Sequence, residues 1–122
     1  MHELSIAEAL VNQLADIVRR EHAARVLSVT IAVGSLSGVD PDALEMAFPL
    51  AAEGSPAAGA ALTIRRVPAR LLCAQCGEAT VSEDPSFLCS HCGSPQLTLA
   101  AGQELRLVEA ELEDGKESTS EP

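Results

Sequence analysis

Two closely matching cysteine groups constrain this chain more than any other feature. They read Cys73-Ala74-Gln75-Cys76-Gly77 and Cys89-Ser90-His91-Cys92-Gly93, with twelve residues between Cys76 and Cys89. A tight turn in each group brings two thiolates within reach of one ion, and the glycine relieves crowding where amides point at sulfur. Four thiolates make the closed tetrahedral site of structural zinc, which leaves no position for a catalytic water. We therefore expect one structural zinc ion.

The cysteine spacing leaves three other interpretations open. A rubredoxin-like iron would use the same four ligands, and the cysteines could also form two disulfides or stay free thiols. The segment 69–99 has too few apolar residues for a core of its own, so we expect the metal to stabilise it. Its candidates for burial are Leu71, Leu72, Val81, Phe87, Leu88 and Leu97.

The rest of the chain predicts two helices. Ser5-Ile6-Ala7-Glu8 fits a capping box, which predicts a helix from Ser5 to about Glu21 or His22. Asp40-Pro41 predicts a second helix start, and that helix is expected to reach about Glu53 with a kink or an early stop at Pro49. The predicted buried face of the first helix carries Ile6, Leu10, Leu14, Ile17 and Val18.

Three alternating or β-branched segments predict strands, at Val26–Val33, Ala61–Val67 and Glu104–Leu112. The predicted fold class is therefore α+β: a small three-stranded sheet covered by two helices, with a zinc-ribbon-like module inserted before the last strand. The expected domains are 1–68 plus 100–112 for the α/β domain and 69–99 for the zinc module. The acidic segment 113–122 is expected to be a disordered tail.

The charge and hydropathy of the chain exclude several classes of function. Eighteen acidic and eight basic residues give a net charge of −10, which would repel nucleic acid. We find neither a signal peptide nor a run of about 18 apolar residues, so the sequence predicts a cytoplasmic protein without a membrane partner. No His, Asp and Glu set converges on a reaction site, so we do not expect an enzyme.

His2 directly follows the amino terminus, where it suggests a second metal site. The terminal amine, the backbone nitrogen of His2 and its imidazole can close adjacent chelate rings, and the Glu3 amide can complete a plane. Planar nitrogen ligands favour Ni(II) or Cu(II) over Zn(II) or Mg(II). The plainer interpretations are an exposed terminal histidine and, for Glu3, an acid favourable at a helix start.

Several stretches stand in a specific order along the chain. They are Met1-His2-Glu3-Leu4-Ser5, Gly38-Val39-Asp40-Pro41-Asp42-Ala43-Leu44, the two cysteine groups with Cys92-Gly93-Ser94, and Gly102-Gln103-Glu104-Leu105. Together they resemble the HypA family of hydrogenase maturation proteins, over residues 1–112. Pro49 departs from the uninterrupted second helix expected of that family.

The resemblance implies a nickel metallochaperone. Working with a GTPase of the HypB type, it would insert nickel into the precursor of the large subunit of a nickel-iron hydrogenase. The nickel-site residues carry over to Met1, through its amine, His2 and Glu3. The structural zinc ligands carry over to Cys73, Cys76, Cys89 and Cys92.

Some family members complete the nickel site with a histidine from the zinc module, which here points to His91. A zinc-ribbon adaptor or scaffold without a nickel role is the alternative function. An adaptor for nucleic acid would need basic and aromatic residues, but 69–99 holds only Arg70 as a basic residue besides His91, and only Phe87 as an aromatic one. The sequence leaves monomer and homodimer open.

Overall fold

The computed structural model describes residues 2–114 of the chain. Within this range no helix is both long enough and apolar enough to cross a bilayer. Two helices and six strands follow one another along the sequence. They are α1 (His2–Glu21), β1 (Ala23–Gly34), α2 (Pro41–Ala52), β2 (Ala61–Val67), β3 (Ala69–Cys73), β4 (Ala79–Ser82), β5 (Leu97–Ala101) and β6 (Leu105–Asp114).

Helix α1 begins three residues earlier than its sequence predicts. The predicted start at Ser5 is wrong, because the helix already includes His2 and Glu3. An acidic residue in the first turn is favourable at the positive end of the helix dipole, so Glu3 supports the earlier start. The helix ends at Glu21, and His22 follows in a left-handed conformation with φ of 56°. The buried apolar residues of the helix are Ala7, Leu10, Val11, Leu14 and Val18.

Helix α2 starts at the predicted cap and continues past its internal proline. The Asp40 carboxylate accepts a hydrogen bond from the Asp42 amide at 3.0 Å, and Pro41 occupies the first turn. The helix buries Leu44, Phe48 and Ala52 and packs against α1. Of the two outcomes predicted for Pro49, the early stop is wrong. The helix ends at Ala52, three residues after Pro49. The position where proline lacks a backbone N–H is therefore in the last turn of the helix.

The strands form two three-stranded sheets, in the orders β2-β1-β6 and β4-β3-β5. The first consists of the three predicted strands, and Ala61–Val67 matches its predicted bounds. The second lies in the cysteine region, where the sequence analysis predicted no strands. In it β3 pairs antiparallel with both neighbours, so that Leu72 lies opposite Ala79 and Thr98. Two helices with small sheets confirm the predicted α+β class.

The chain divides into two compact units. Among the described residues, one unit, which we call the helical unit, comprises 2–31, 40–64 and 107–114. The other, the cysteine unit, comprises Ala32–Val39 and Arg65–Arg106, so it takes in segments on both sides of 69–99. The acidic tail was expected to begin at Glu113, but β6 continues through Asp114. The rest of that predicted tail, 115–122, lies outside the described residues.

A close backbone crossing within the cysteine unit requires glycine at position 34. The Gly34 amide donates to the Glu104 carbonyl at 2.7 Å, and the Leu36 amide donates to the Gly102 carbonyl at 2.7 Å. A Cβ on Gly34 would lie 2.1 Å from the Gly102 carbonyl oxygen and 2.7 Å from the Glu104 nitrogen. Because the obstructing atoms belong to backbone, no side-chain movement relieves the clash.

We predict that Gly34→Ala lowers the free energy of unfolding by more than about 3 kcal/mol, since the added methyl group forces the two backbones apart. Gly38→Ala is the matched control, because its Cβ would meet nothing within 4 Å. Its φ of +82° should still cost about 1 to 2 kcal/mol. Denaturant unfolding of both variants measures the difference, and equal losses would contradict the crossing.

Candidate metal centres

The four cysteines lie together as the corners of a compact sulfur cluster. All four Sγ atoms are within 4.8 Å of one another. The Sγ atoms of Cys73 and Cys92 are 3.7 Å apart, and those of Cys76 and Cys89 are 3.6 Å apart. A zinc ion with four sulfur bonds of about 2.3 Å has sulfur atoms about 3.8 Å apart at its tetrahedral edges. A disulfide requires about 2.05 Å, and all four cysteines are free thiols. The geometry therefore fits a metal site and not the disulfide interpretation.

The two cysteine turns have the same backbone geometry. In each, the amide of the glycine donates to the carbonyl of the first cysteine, and the amide of that cysteine donates to the carbonyl five residues later. The glycine has φ of 78° in both turns, which a residue with a side chain rarely adopts. The hydrogen bonds are Gly77 to Cys73 at 2.9 Å, Gly93 to Cys89 at 2.8 Å, Cys73 to Glu78 at 3.0 Å and Cys89 to Ser94 at 2.8 Å.

The turns also direct backbone amides at the sulfur of their first cysteines. The amides of Cys92 and His91 donate to the Cys89 Sγ at 3.4 and 3.3 Å. These hydrogen bonds favour the thiolate, and they lower the pKa of Cys89 from 9.0 to about 6. The amides of Cys76 and Gln75 likewise lower the pKa of Cys73. The first cysteine of each turn is thus prepared as an anionic ligand.

The second cysteine of each turn holds its proton more tightly. The Glu78 amide favours the Cys76 thiolate, but desolvation and hydrogen bonds to the other thiols raise the pKa of Cys76 to about 12. For Cys92 the Ser94 amide also favours the thiolate, but desolvation and hydrogen bonds to the Cys73 and Cys89 thiols raise the pKa of Cys92. A metal that binds all four sulfurs must therefore displace protons, chiefly from this pair.

Burial and packing fix the cluster within the cysteine unit. Cys73 ends strand β3 and is buried, as is Cys89, while Cys76 and Cys92 are exposed. The second turn is tied to strand β4, because the Ser90 hydroxyl lies 3.0 Å from the Thr80 hydroxyl. Four sulfur ligands in this arrangement leave no place for a substrate, so the cluster fits a structural ion such as zinc.

The residues predicted for the nickel site lie at the start of helix α1. His2 is exposed, whereas Glu3 is 9% exposed. Met1 was predicted to contribute its amine, and it lies outside the described residues. His91 is exposed and belongs to the cysteine unit, whereas His2 belongs to the helical unit.

The carboxylate of Glu3 has a structural partner that the sequence analysis missed. Its Oε2 accepts a hydrogen bond at 3.0 Å from the amide of Asp40, the N-cap residue of α2. The bond therefore links the start of one helix to the start of the other. The only local signal was an acid in the first turn of α1, and nothing in the sequence pattern pairs it with a residue 37 positions away.

The backbone amides of His2 and Glu3 lie in the first turn of helix α1. The first four amides of an α-helix have no carbonyl partner within the helix. A metal that replaced the proton of either amide would therefore break no amide-to-carbonyl hydrogen bond of α1. The positive end of the helix dipole opposes a bound cation, but each deprotonated amide supplies a compensating negative charge.

Comparison with known proteins identifies the family. A family model described as the hydrogenase/urease nickel incorporation metallochaperone HypA matches residues 1–112. The chain belongs to the HypA family. Hydrogenase maturation factor HypA of Dechloromonas aromatica is 41% identical over 113 residues, covering 93% of this chain and all of that protein. The HypA of Deinococcus radiodurans is 45% identical over 107 residues, covering 88% of this chain and 89% of its own.

The fold is similar to that of solved HypA structures. The solution structure of the Ni metallochaperone HypA from Helicobacter pylori has a TM-score of 0.65 and 24% sequence identity. The alignment covers 93% of this chain and 99% of that protein. The family match and the curated relatives confirm the resemblance stated from the sequence. Membership in a metallochaperone family also agrees with the expectation of a binding protein.

We predict that this chain retains zinc at pH 7 and releases it only in acid, where protons compete with the ion for the thiolates. A thiol whose pKa is lowered, as in Cys89, stays anionic at neutral pH and gains its proton only as the pH falls through the lowered value. Bound zinc competes with protons, which moves its release further toward acid. A colorimetric zinc indicator measures release, with Ser90→Ala as a control that keeps all four sulfurs. Loss of zinc above pH 7 would contradict the prediction.

Proposed function

We propose that this chain binds Ni(II) at its amino terminus and delivers it to the precursor of the large subunit of a nickel-iron hydrogenase. A GTPase of the HypB type is the proposed partner in delivery. The observation that carries the proposal is the family match over residues 1–112, which includes the whole proposed nickel site. The family description names urease as well as hydrogenase, so both enzymes belong in the test.

The proposed nickel ligands are the Met1 amine, the amide nitrogen and imidazole of His2, and the amide nitrogen of Glu3. They would form a planar set of nitrogens, which suits Ni(II) better than Zn(II). The exposure of the His2 side chain supports this role, since an ion that is passed on must remain accessible. Amides at a helix start, which lack an intrahelical partner, support it as well.

The Glu3 carboxylate is proposed to shape the site and not to bind the ion. It accepts the Asp40 amide and is nearly buried, so turning it toward solvent would break a contact between the starts of α1 and α2. A planar site built from backbone nitrogen needs a defined chain direction at residues 1–3. The contact would provide that direction by holding the first turn of α1.

Zinc is the proposed resident ion, bound by Cys73, Cys76, Cys89 and Cys92. The fit of the sulfur separations to a tetrahedron of zinc supports this assignment. When bound, zinc supplies a crosslink between the two cysteine turns. Those turns already supply amide hydrogen bonds that stabilise the thiolates of the first cysteines.

Delivery of nickel then follows from the difference between the two sites. A zinc ion whose four coordination positions are all filled by thiolates would exchange slowly. Exposed nitrogen ligands at a chain terminus can be replaced one at a time by those of an acceptor. The family resemblance makes His91 a candidate additional nickel ligand, and its side chain is exposed.

We predict that His2→Ala weakens Ni(II) binding by more than about 100-fold, since even indirect partners of a metal ligand contribute about 10- to 100-fold. Two residues added before Met1 should have a similar effect, because the terminal amine moves away from His2. Calorimetric titration of zinc-loaded protein with Ni(II) measures both. The matched control is His22→Asn, which replaces an exposed histidine at the other end of α1 by a residue that tolerates its positive φ.

Either altered amino terminus binding nickel as tightly as the unaltered chain would rule out the proposed ligand set. The zinc content of each variant is measured alongside, because an intact zinc site separates loss of a nickel ligand from loss of the fold. His91→Ala is titrated in the same series. An unchanged affinity would remove His91 from the ligand set and leave the amino-terminal site in place.

In cells that lack their own HypA, we predict that the chain restores hydrogenase activity and that His2→Ala restores at least about tenfold less. Added nickel should reduce the difference, because a higher concentration of free ion compensates for weaker capture by mass action. Urease activity is measured in parallel where the cell produces that enzyme. Full restoration by His2→Ala would contradict the proposed delivery.

A further inference from the structure

The outward side of helix α2 carries two large apolar side chains where a surface helix normally carries polar ones. Met46 is 77% exposed and Leu50 is 66% exposed. They are four residues apart, so they are neighbours on one face of the helix. The helix buries Leu44, Phe48 and Ala52 on its other side. We call Met46 and Leu50, with the exposed Pro49 beside them, the α2 stripe.

Isolated exposed apolar residues are ordinary on protein surfaces, but adjacent ones mark interaction sites more often. Methionine has a flexible side chain that adapts to a partner's shape, which suits a docking surface. Helix α2 is also anchored from within by a fully buried Leu44 and a nearly fully buried Phe48. The stripe therefore stands on a rigid support.

The charged residues on helix α2 and next to it in the chain have a single sign. Exposed Asp42, Glu45 and Glu53 lie on or next to α2. From Val26 to Ile64 the chain contains no lysine or arginine. Because acidic groups flank an apolar centre, the surface is complementary to an apolar stripe flanked by basic groups.

This charge pattern excludes the other candidate occupants. A second copy of the chain would pair α2 with α2 across a twofold axis and bring acidic groups against acidic groups. The segment 115–122 has two glutamates and one lysine, so it offers no basic complement. Anionic lipid and nucleic acid are repelled for the same reason.

We propose that the α2 stripe binds a basic amphipathic helix of a partner protein. The helix would lay leucine-like side chains on Met46 and Leu50 and direct lysine or arginine toward Glu45 and Glu53. This is recognition of a helix by its apolar face, with flanking charge that sets orientation and speeds association. The surface is independent of the nickel ligands, so it stands whether or not the proposed function holds.

The probe is a helical peptide of roughly 18 residues with leucine along one face and lysine beside it. Fluorescence anisotropy of the labelled peptide measures its binding to the full chain with zinc bound. Met46→Ser with Leu50→Ser should weaken binding by at least about tenfold, because two apolar side chains would no longer be buried against the partner. Glu45→Gln with Glu53→Gln should also weaken it, and should reduce its dependence on salt between about 50 and 500 mM.

Matched controls distinguish binding at the α2 stripe from nonspecific binding to other exposed apolar or acidic residues. Leu88→Ser removes a leucine that is 50% exposed in the cysteine unit, and Glu109→Gln removes an exposed acid on β6. Both should bind the peptide as the unaltered chain does. A peptide with glutamate in place of lysine should bind at least about tenfold more weakly.

Equal binding by the Met46 and Leu50 variant, or equal loss in the Leu88 control, would overturn the proposal. So would equal binding of the lysine and glutamate peptides, because charge is what selects the occupant. Sedimentation of the unaltered chain tests the remaining occupant. A dimer that the Met46 and Leu50 variant abolishes would assign the stripe to a second copy and contradict a basic partner helix.

Discussion

The arrangement of four thiols within 4.8 Å of one another is the constraint on which the cysteine unit depends. Two turns with the same hydrogen bonds present these thiols, and the turns lie on either side of strand β4 in the chain. Four thiols held this close, with backbone amides directed at Cys73 and Cys89, favour a cation. In the proposed zinc site, the geometry of the two turns and the charge of the sulfurs would together stabilise the fold of the cysteine unit.

The helical unit depends on a different kind of contact. Glu3 and Asp40 stand at the starts of two helices, and the bond from the Asp40 amide to the Glu3 carboxylate links those starts. The same first turn carries His2 with an exposed side chain. A nickel site at a chain terminus has to combine access with a defined backbone path. In the proposed function, Glu3 would fix the course of the backbone at the site, and His2 would keep a nickel ligand accessible.

Much of the fold and of the candidate site was readable from local pattern. The cysteine spacing predicted a single metal site, β-branched residues predicted the strand at Ala61–Val67, and Asp40-Pro41 predicted the start of α2. The start of α1 was missed because the capping signal at Ser5 competed with Glu3. Strands β3 to β5 are four or five residues long, too short for their alternation to stand out among the cysteines. The Glu3 to Asp40 bond joins residues 37 positions apart, which no local pattern reveals.

The most direct test of two chemically different metal sites is X-ray absorption at both metal edges on one sample loaded with zinc and nickel. The account predicts that zinc shows a shell of four sulfurs at about 2.3 Å and that nickel shows only nitrogen or oxygen neighbours in a planar arrangement. Sulfur in the nickel shell would contradict the separation of the sites and place the cargo among the four cysteines. Nitrogen in the zinc shell would contradict the closed four-sulfur site.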